Sequence, residues 1–154
     1  MIHSKYSMWS HGSLLTSQSS VSIETQSQGA RVMASEPGPF PPGHMERVVL
    51  GIPTPTVAAD HHMKPVRLHV RFRTGKAADI THILLNDGET QIIEFVRVWL
   101  ESDDYITKDL EIPNAGVVKT GIAVTFLLTM QGNQDNNAWV DFVGTGIDFE
   151  SMHV

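Results

Sequence analysis

Val66-Arg67-Leu68-His69-Val70-Arg71-Phe72-Arg73 alternates apolar and basic side chains over eight residues. Successive side chains of an extended chain point to opposite faces, so Val66, Leu68, Val70 and Phe72 share one side. Arg67, His69, Arg71 and Arg73 share the other. The first side belongs to a core and the second to the solvated face of an antiparallel sheet. Three arginines in register make a basic stripe on a chain whose formal charge is -6. Such a stripe is commonly neutralised by acids on a neighbouring strand. Its alternative use is bidentate capture of a carboxylate or phosphate.

Strand signals continue on both sides of this segment. Ile80–Leu85 and Thr90–Phe95 flank Asn86-Asp87-Gly88-Glu89. An Asp-Gly pair between β-rich runs predicts a hairpin, because glycine adopts positive φ without steric cost. Val96–Leu100 reads as a continuation of the second arm. Met45–Leu50, Ile106–Ile112, Val117–Met130, Ala138–Val143 and Thr145–Phe149 read as further strands, and Gly121 marks a bend or bulge. No apolar set recurs at helical spacing with caps. Eight to ten short strands without a helix predict an all-β protein, a single antiparallel β-sandwich of jelly-roll-like form.

The first forty-odd residues differ in character. Ser13–Ser35 is rich in Ser, Gln and Thr, and Val21–Thr25 alternates as an edge strand does. Glu36–Gly43 holds four prolines in eight residues, which excludes helix and central strand. The expected organisation is an N-terminal segment, residues 1–43, packed on a sandwich core, residues 44–154. With no cysteine among 154 residues, disulfides, thiolate metal sites and a thiol nucleophile are excluded. The acidic balance argues against nucleic acid as a partner. No apolar run approaches a bilayer span, and the first residues lack the apolar centre of a signal peptide, so a soluble, cytoplasmic protein is expected.

Trp9-Ser10-His11-Gly12, Ile52-Pro53-Thr54-Pro55, Arg71-Phe72-Arg73-Thr74, Asn86-Asp87-Gly88-Glu89, Ile112-Pro113-Asn114 and Gly146-Ile147-Asp148-Phe149 occur in this order. Together they resemble a family of small microbial β-sandwich proteins of unknown function, over about Met8 to Phe149. The residues before Trp9 and the Glu36–Gly43 segment depart from that pattern. The resemblance implies the fold and carries no activity with it.

Candidate chemistry rests on few residues. His61-His62, with His44 and His69 elsewhere, lacks metal-ligand spacing and reads as a solvated loop. Asp103-Asp104 and the Asn133–Asn137 run match no calcium loop. No metal and no cofactor is expected. Several strands are apolar on both faces, more than one two-layer core hides, so the surplus requires a cover: the N-terminal segment, a second subunit or an apolar ligand. In a pocket, His82, Glu94 and Asp141 are candidate acid/base groups, because burial among apolar neighbours raises a carboxyl pKa. Trp99 and Trp139 would supply flat walls, with Arg71, Arg73 and Arg97 as polar contacts. The opposing reading has these charges in structural pairs and the tryptophans in packing. Three functions follow. The first is a small-molecule or carbohydrate-binding sandwich. The second is a cofactor-independent lyase, isomerase or cyclase working in the sandwich interior. The third is a homo-oligomeric assembly protein.

Overall fold

A computed structural model describes residues 5–17, 21–34, 45–55, 57–58, 61–131 and 137–152. Twelve strands are found among them: β1 (Lys5–His11), β2 (Thr16–Ser17), β3 (Val21–Gln26), β4 (Gly29–Ala34), β5 (Met45–Ile52), β6 (Val57–Ala58), β7 (His61–Thr74), β8 (Ala78–Asp87), β9 (Thr90–Phe95), β10 (Ile106–Glu111), β11 (Ile122–Met130) and β12 (Trp139–Met152). One 3₁₀ turn, Gly12–Leu14, separates β1 from β2. The count exceeds eight to ten because β1, β2, β4 and β6 fall outside the strands read from the sequence, β2 and β6 being two-residue strands too short for a periodic signal. No helix among the described residues is long and apolar enough to cross a membrane.

Two antiparallel sheets face each other, as the alternation predicts. The seven-stranded sheet runs β10-β7-β12-β4-β3, with β1 beside β12 and β6 beside β7. The five-stranded sheet runs β2-β5-β11-β8-β9. From β7 onward the chain passes between the two sheets, the β8–β9 hairpin excepted, which gives the sandwich its jelly-roll character. Phe72, Phe126, Phe142 and Phe149 are fully buried between the sheets. Phe126 of one sheet meets Phe142 of the other at 4.7 Å between ring centres. Residues 5–34 contribute strands to both sheets: β3 is an edge, β4 pairs with β12, and Ser10 of β1 donates to the Gly51 carbonyl across the sandwich at 2.5 Å.

The hairpin forms where Asp87-Gly88 requires it, with Gly88 at φ 57°. Asp87 also clamps the next crossing. Its carboxylate accepts the backbone N–H groups of Lys119, Thr120 and Gly121 at 2.8–2.9 Å. Burial opposes that charge, yet the three donors hold its pKa below the ordinary carboxylate value.

Several expectations change: β11 begins at Ile122 and not at Val117, and Val66 is half-buried outside the core where the register slips between Asp148 and Phe149. β9 stops at Phe95 instead of running to Leu100, because Arg97 and Trp99 take left-handed φ of 54° and 47°. Leu100 returns to bridge Ile80. The two C-terminal strands are one strand, β12, whose register slips between Phe142 and Gly144 and leaves Val143 as a bulge. His61-His62 begins β7 in place of a loop. Residues 35–44, with the proline-rich segment and His44, lie outside the described residues, as do residues 133–136.

Candidate functional site

The outer face of the seven-stranded sheet carries a charge ladder that the register builds rung by rung. Glu111, Arg67 and Asp148 lie abreast on β10, β7 and β12, and Ser7 of β1 follows. The next rung holds Asp109, His69, Gly146 and Trp9; the third holds Thr107, Arg71, Gly144 and His11. A further rung joins Arg73, Asp141 and Arg31 across β7, β12 and β4, with Glu24 of β3 beyond.

Most cations on this face have an acid. Arg67 pairs with Glu111 at 2.6 Å. Asp141, almost wholly buried, accepts from Arg31 at 2.7 and 3.0 Å and from Arg73 at 2.8 Å. Burial would raise the Asp141 pKa, but the two guanidinium groups outweigh it and hold the value low. Arg31 and Arg73 also lie over the Trp139 ring, at 4.1 and 5.4 Å, and Arg73 stands 4.5 Å from the Tyr105 ring. Of the stripe on β7, Arg67, His69 and Arg73 meet acids on neighbouring strands, and Arg71 does not among the described residues. Trp139 serves as a floor for the guanidinium groups, so its face is covered.

His69 sits between two carboxylates. Nδ1 meets Asp109 Oδ1 at 2.5 Å and Nε2 meets Asp148 Oδ2 at 2.8 Å. Carboxylate oxygens only accept, so both contacts are hydrogen bonds when both ring nitrogens carry protons. Burial works against that charge, but the two acids prevail and raise the His69 pKa above its ordinary value. Asp148 moves down for the reciprocal reason: burial opposes its charge, while His69 and Ser7 stabilise it by hydrogen bonds.

Trp9 is the exposed aromatic of this network. Its ring is stacked beside His69, 5.5 Å between centres and 14° from parallel, while 44% of the residue stays exposed. The indole N–H donates to Ser7 Oγ at 3.1 Å. Gly146 makes the arrangement possible, since a Cβ there would collide with Cδ2 and Cε2 of the indole. Trp9 therefore lies flat on the sheet with one face outward. A cleft of about 390 Å³ lies along the same face one rung away, lined by Tyr6, Ser7, Arg67, Glu111 and Asp148 among others. A hollow of about 370 Å³ opens beside the indole, bounded by Trp9, Ser10, His11, Arg71, Val143 and Gly144.

The structure divides the sequence-derived candidates among three places. Arg71, Arg73, Asp141 and Trp139 share the outer face of the seven-stranded sheet. His82 and Glu94 lie on the outer face of the five-stranded sheet, on β8 and β9, so they do not meet Asp141. Arg97 and Trp99 stand exposed on the loop after β9. The sequence reading missed Trp9 as a site residue. The signal that finds it is a glycine in register, and Gly146 lies at the opposite end of the chain. No group of three or more His, Asp or Glu side chains suited to a metal occurs among the described residues.

A family model described as "Family of unknown function (DUF6623)" matches residues 7–152. The chain belongs to this family. No curated protein matches the sequence. Among solved structures, the DUF6623 chain is similar to CBM29_1, a family 29 carbohydrate-binding module from Piromyces equi, at 8% identity and TM-score 0.50, covering 96% of this chain and 91% of that one. It is also similar to the low-affinity xylan-binding module CBM86 from Roseburia intestinalis, at 10% identity and TM-score 0.50, over 96% and 95% of the two chains. A Stig cyclase, Fisc from Fischerella sp., matches at 12% identity and TM-score 0.50, over 97% of this chain and 77% of the cyclase. These likenesses establish a shared β-sandwich fold.

Proposed function

We propose that this chain is a carbohydrate-binding protein whose ligand lies on the outer face of β1, β12 and β7, with a sugar ring stacked on Trp9. The exposed indole laid flat over Gly146 carries the reading. The apolar C–H face of a pyranose matches an aromatic plane in shape and hydration. Around that plane the ladder offers fixed polar groups, Asp109, Asp148 and Arg67 among them, suited to hydroxyl groups at the ring edge. The hollow beside Trp9 and the cleft one rung along the ladder leave room for a chain of sugars on this face. Two of the similar folds are carbohydrate-binding modules, in keeping with this use of the sandwich.

The Fischerella cyclase shares the fold to the same degree, and a catalytic reading would draw on His82, Glu94 and Asp141. Those three stand on opposite sides of the sandwich, and Asp141 is held ionised by two arginines, so the binding reading takes precedence.

Calorimetric and fluorescence titration of the full chain with soluble oligosaccharides, neutral and acidic, tests the proposal. Wild type is expected to bind at least one, and Trp9→Ala is expected to weaken that complex roughly 30-fold, the usual cost of removing an interfacial aromatic anchor. Trp99→Ala should leave it unchanged. Binding that survives Trp9→Ala intact would remove the site from this face.

A further inference from the structure

One rung of the ladder lacks its acid. Arg31, Arg67, His69 and Arg73 each stand within ion-pair distance of a carboxylate. Arg71, on the same face of β7, has none among the described residues. Its register neighbours are Thr107 on β10 and Gly144 on β12. The guanidinium group donates through Nη1 to Thr107 Oγ1 at a long 3.3 Å and lies 5.8 Å from the Tyr105 ring. Neither partner neutralises its charge, and among the described residues one of its five N–H donors is engaged by a side-chain oxygen.

This unpaired cation borders the hollow beside Trp9. Arg71 and Trp9 line the same space of about 370 Å³, and Gly144, which supplies no side chain, forms part of its floor. The other charge-bearing side chain there, His11, already accepts the Ser13 N–H at Nδ1. A ligand seated on Trp9 and filling the hollow would strip water from Arg71. That step is unfavourable against a neutral ligand and favourable against an anion that fits the planar guanidinium fork.

From this juxtaposition we infer that the carbohydrate ligand is acidic, a uronate-bearing sugar whose carboxylate pairs with Arg71 while its ring stacks on Trp9. The inference rests on the carbohydrate-binding reading and names the ligand class for that site. The carboxylate of a uronic acid projects from the ring edge, so stacking and pairing do not compete for the same atoms. It supplies to Arg71 the charge that Glu111, Asp109 and Asp141 supply to the other rungs.

The test titrates wild type, Trp9→Ala and Arg71→Gln with matched oligosaccharides, their melting temperatures confirming folded protein. Oligogalacturonate, oligomannuronate and glucuronate-bearing xylo-oligosaccharides are each set beside the neutral galacto-, manno- or xylo-oligosaccharide of the same backbone. Sulfated galactan oligosaccharides form a further arm. At least one uronate-bearing ligand is expected to bind about tenfold or more tightly than its neutral counterpart, in line with one charge-assisted pair. Arg71→Gln should bring the uronate-bearing and neutral ligands to equal affinity, the ratio of the two being the readout. Equal or stronger binding of the neutral sugars, a preference that persists in Arg71→Gln, or tighter binding of the sulfated sugars than of any uronate would overturn the inference. Neutral sugars bound through Trp9 without acid preference would leave the carbohydrate reading standing. If no oligosaccharide of either kind binds, both fall together.

Discussion

The two outer faces of this sandwich obey different rules. On the seven-stranded sheet, charged groups stand abreast and satisfy one another across four strands, and the flat indole of Trp9 lies among them. The five-stranded sheet shows His82, Leu84 and Asn86 of β8 beside Thr125 and Leu127 of β11 and Val49 of β5, all half-buried. There, His82 Nδ1 and Asn86 Oδ1 are buried without a hydrogen-bond partner among the described residues. Both faces are solvent-side surfaces of antiparallel sheets, and only one has its polar groups organised. A surface on which acids and bases are matched on every rung but that of Arg71 fixes most side-chain positions before a ligand arrives, and pre-organisation of that kind lowers the cost of binding.

Removing the centre of the ladder should have the largest effect. Asp141→Asn keeps the size of the side chain and leaves Arg31 and Arg73 without their shared anion. Arg31 and Arg73 stay partly exposed, so the cost is that of lost hydrogen bonds to a charged group, about 2–3 kcal/mol, and chemical denaturation would measure it. Because the folded-state pKa of Asp141 is depressed, its contribution is present above the ordinary carboxylate value of 3.8 and lost as pH falls through the lower folded value. The variant should therefore lose part of the acid-side slope of stability. A cost near zero would mean that the ladder is ornamental and that the two faces do not differ in the way described.

Gly146→Ala comes next. The new methyl group occupies the space of the Trp9 ring, so the indole must lift from the sheet. A cost of about 1–3 kcal/mol is expected from overpacking, with a shift of Trp9 emission and loss of oligosaccharide binding. Retained binding would show that the flat placement of Trp9 is not what the ligand reads.

How much of this was legible depended on distance along the chain. The alternation of Leu68–Arg73 revealed which side of β7 is core, because period two is a local property. Val66 falls outside the core where the register slips opposite Asp148 and Phe149. The Asp87-Gly88 hairpin was equally local. The arginine stripe suggested acids on a neighbouring strand without naming them, since Arg73 meets Asp141 across 68 residues. Trp9 carried no local sign of its role, which depends on Gly146 in another strand. The continuation through Val96–Leu100 failed for a different reason: those residues have strand composition, while left-handed backbone at Arg97 and Trp99 ends the strand. Composition reports side-chain preference, and a non-glycine residue at positive φ is visible only in the backbone.

A smaller effect separates the ladder by pH. His69 faces Asp109 from β10, Asp148 from β12, and Ser7 and Trp9 from β1, with Arg67 and Arg71 two positions away on its own strand. Its folded-state pKa is raised above 6.5. The stability it contributes is thus complete below 6.5 and disappears as pH rises through the folded value. Wild type should lose more stability than His69→Gln between pH 6 and pH 9, and Trp9 fluorescence should titrate with the same midpoint. Parallel profiles for the two proteins would show that the imidazolium adds nothing to the fold.

The smallest expected change lies on the opposite face and decides what that face is for. His82 Nδ1 is buried without a partner among the described residues, and Leu127 stands directly beside it in register. An unsatisfied buried nitrogen costs free energy, so an apolar replacement of similar size removes a penalty and no bond. His82→Leu is expected to be neutral or stabilising by about 1 kcal/mol, with oligosaccharide binding unchanged because the site lies across the sandwich. A marked loss of stability would show that the imidazole has a structural partner after all. Full stability combined with loss of any ligand response would assign function to the five-stranded face, with His82 and the exposed Glu94 as its polar groups. Only the neutral result keeps the contrast between the faces as drawn, with one organised for recognition and the other tolerating an orphaned polar atom because nothing is asked of it.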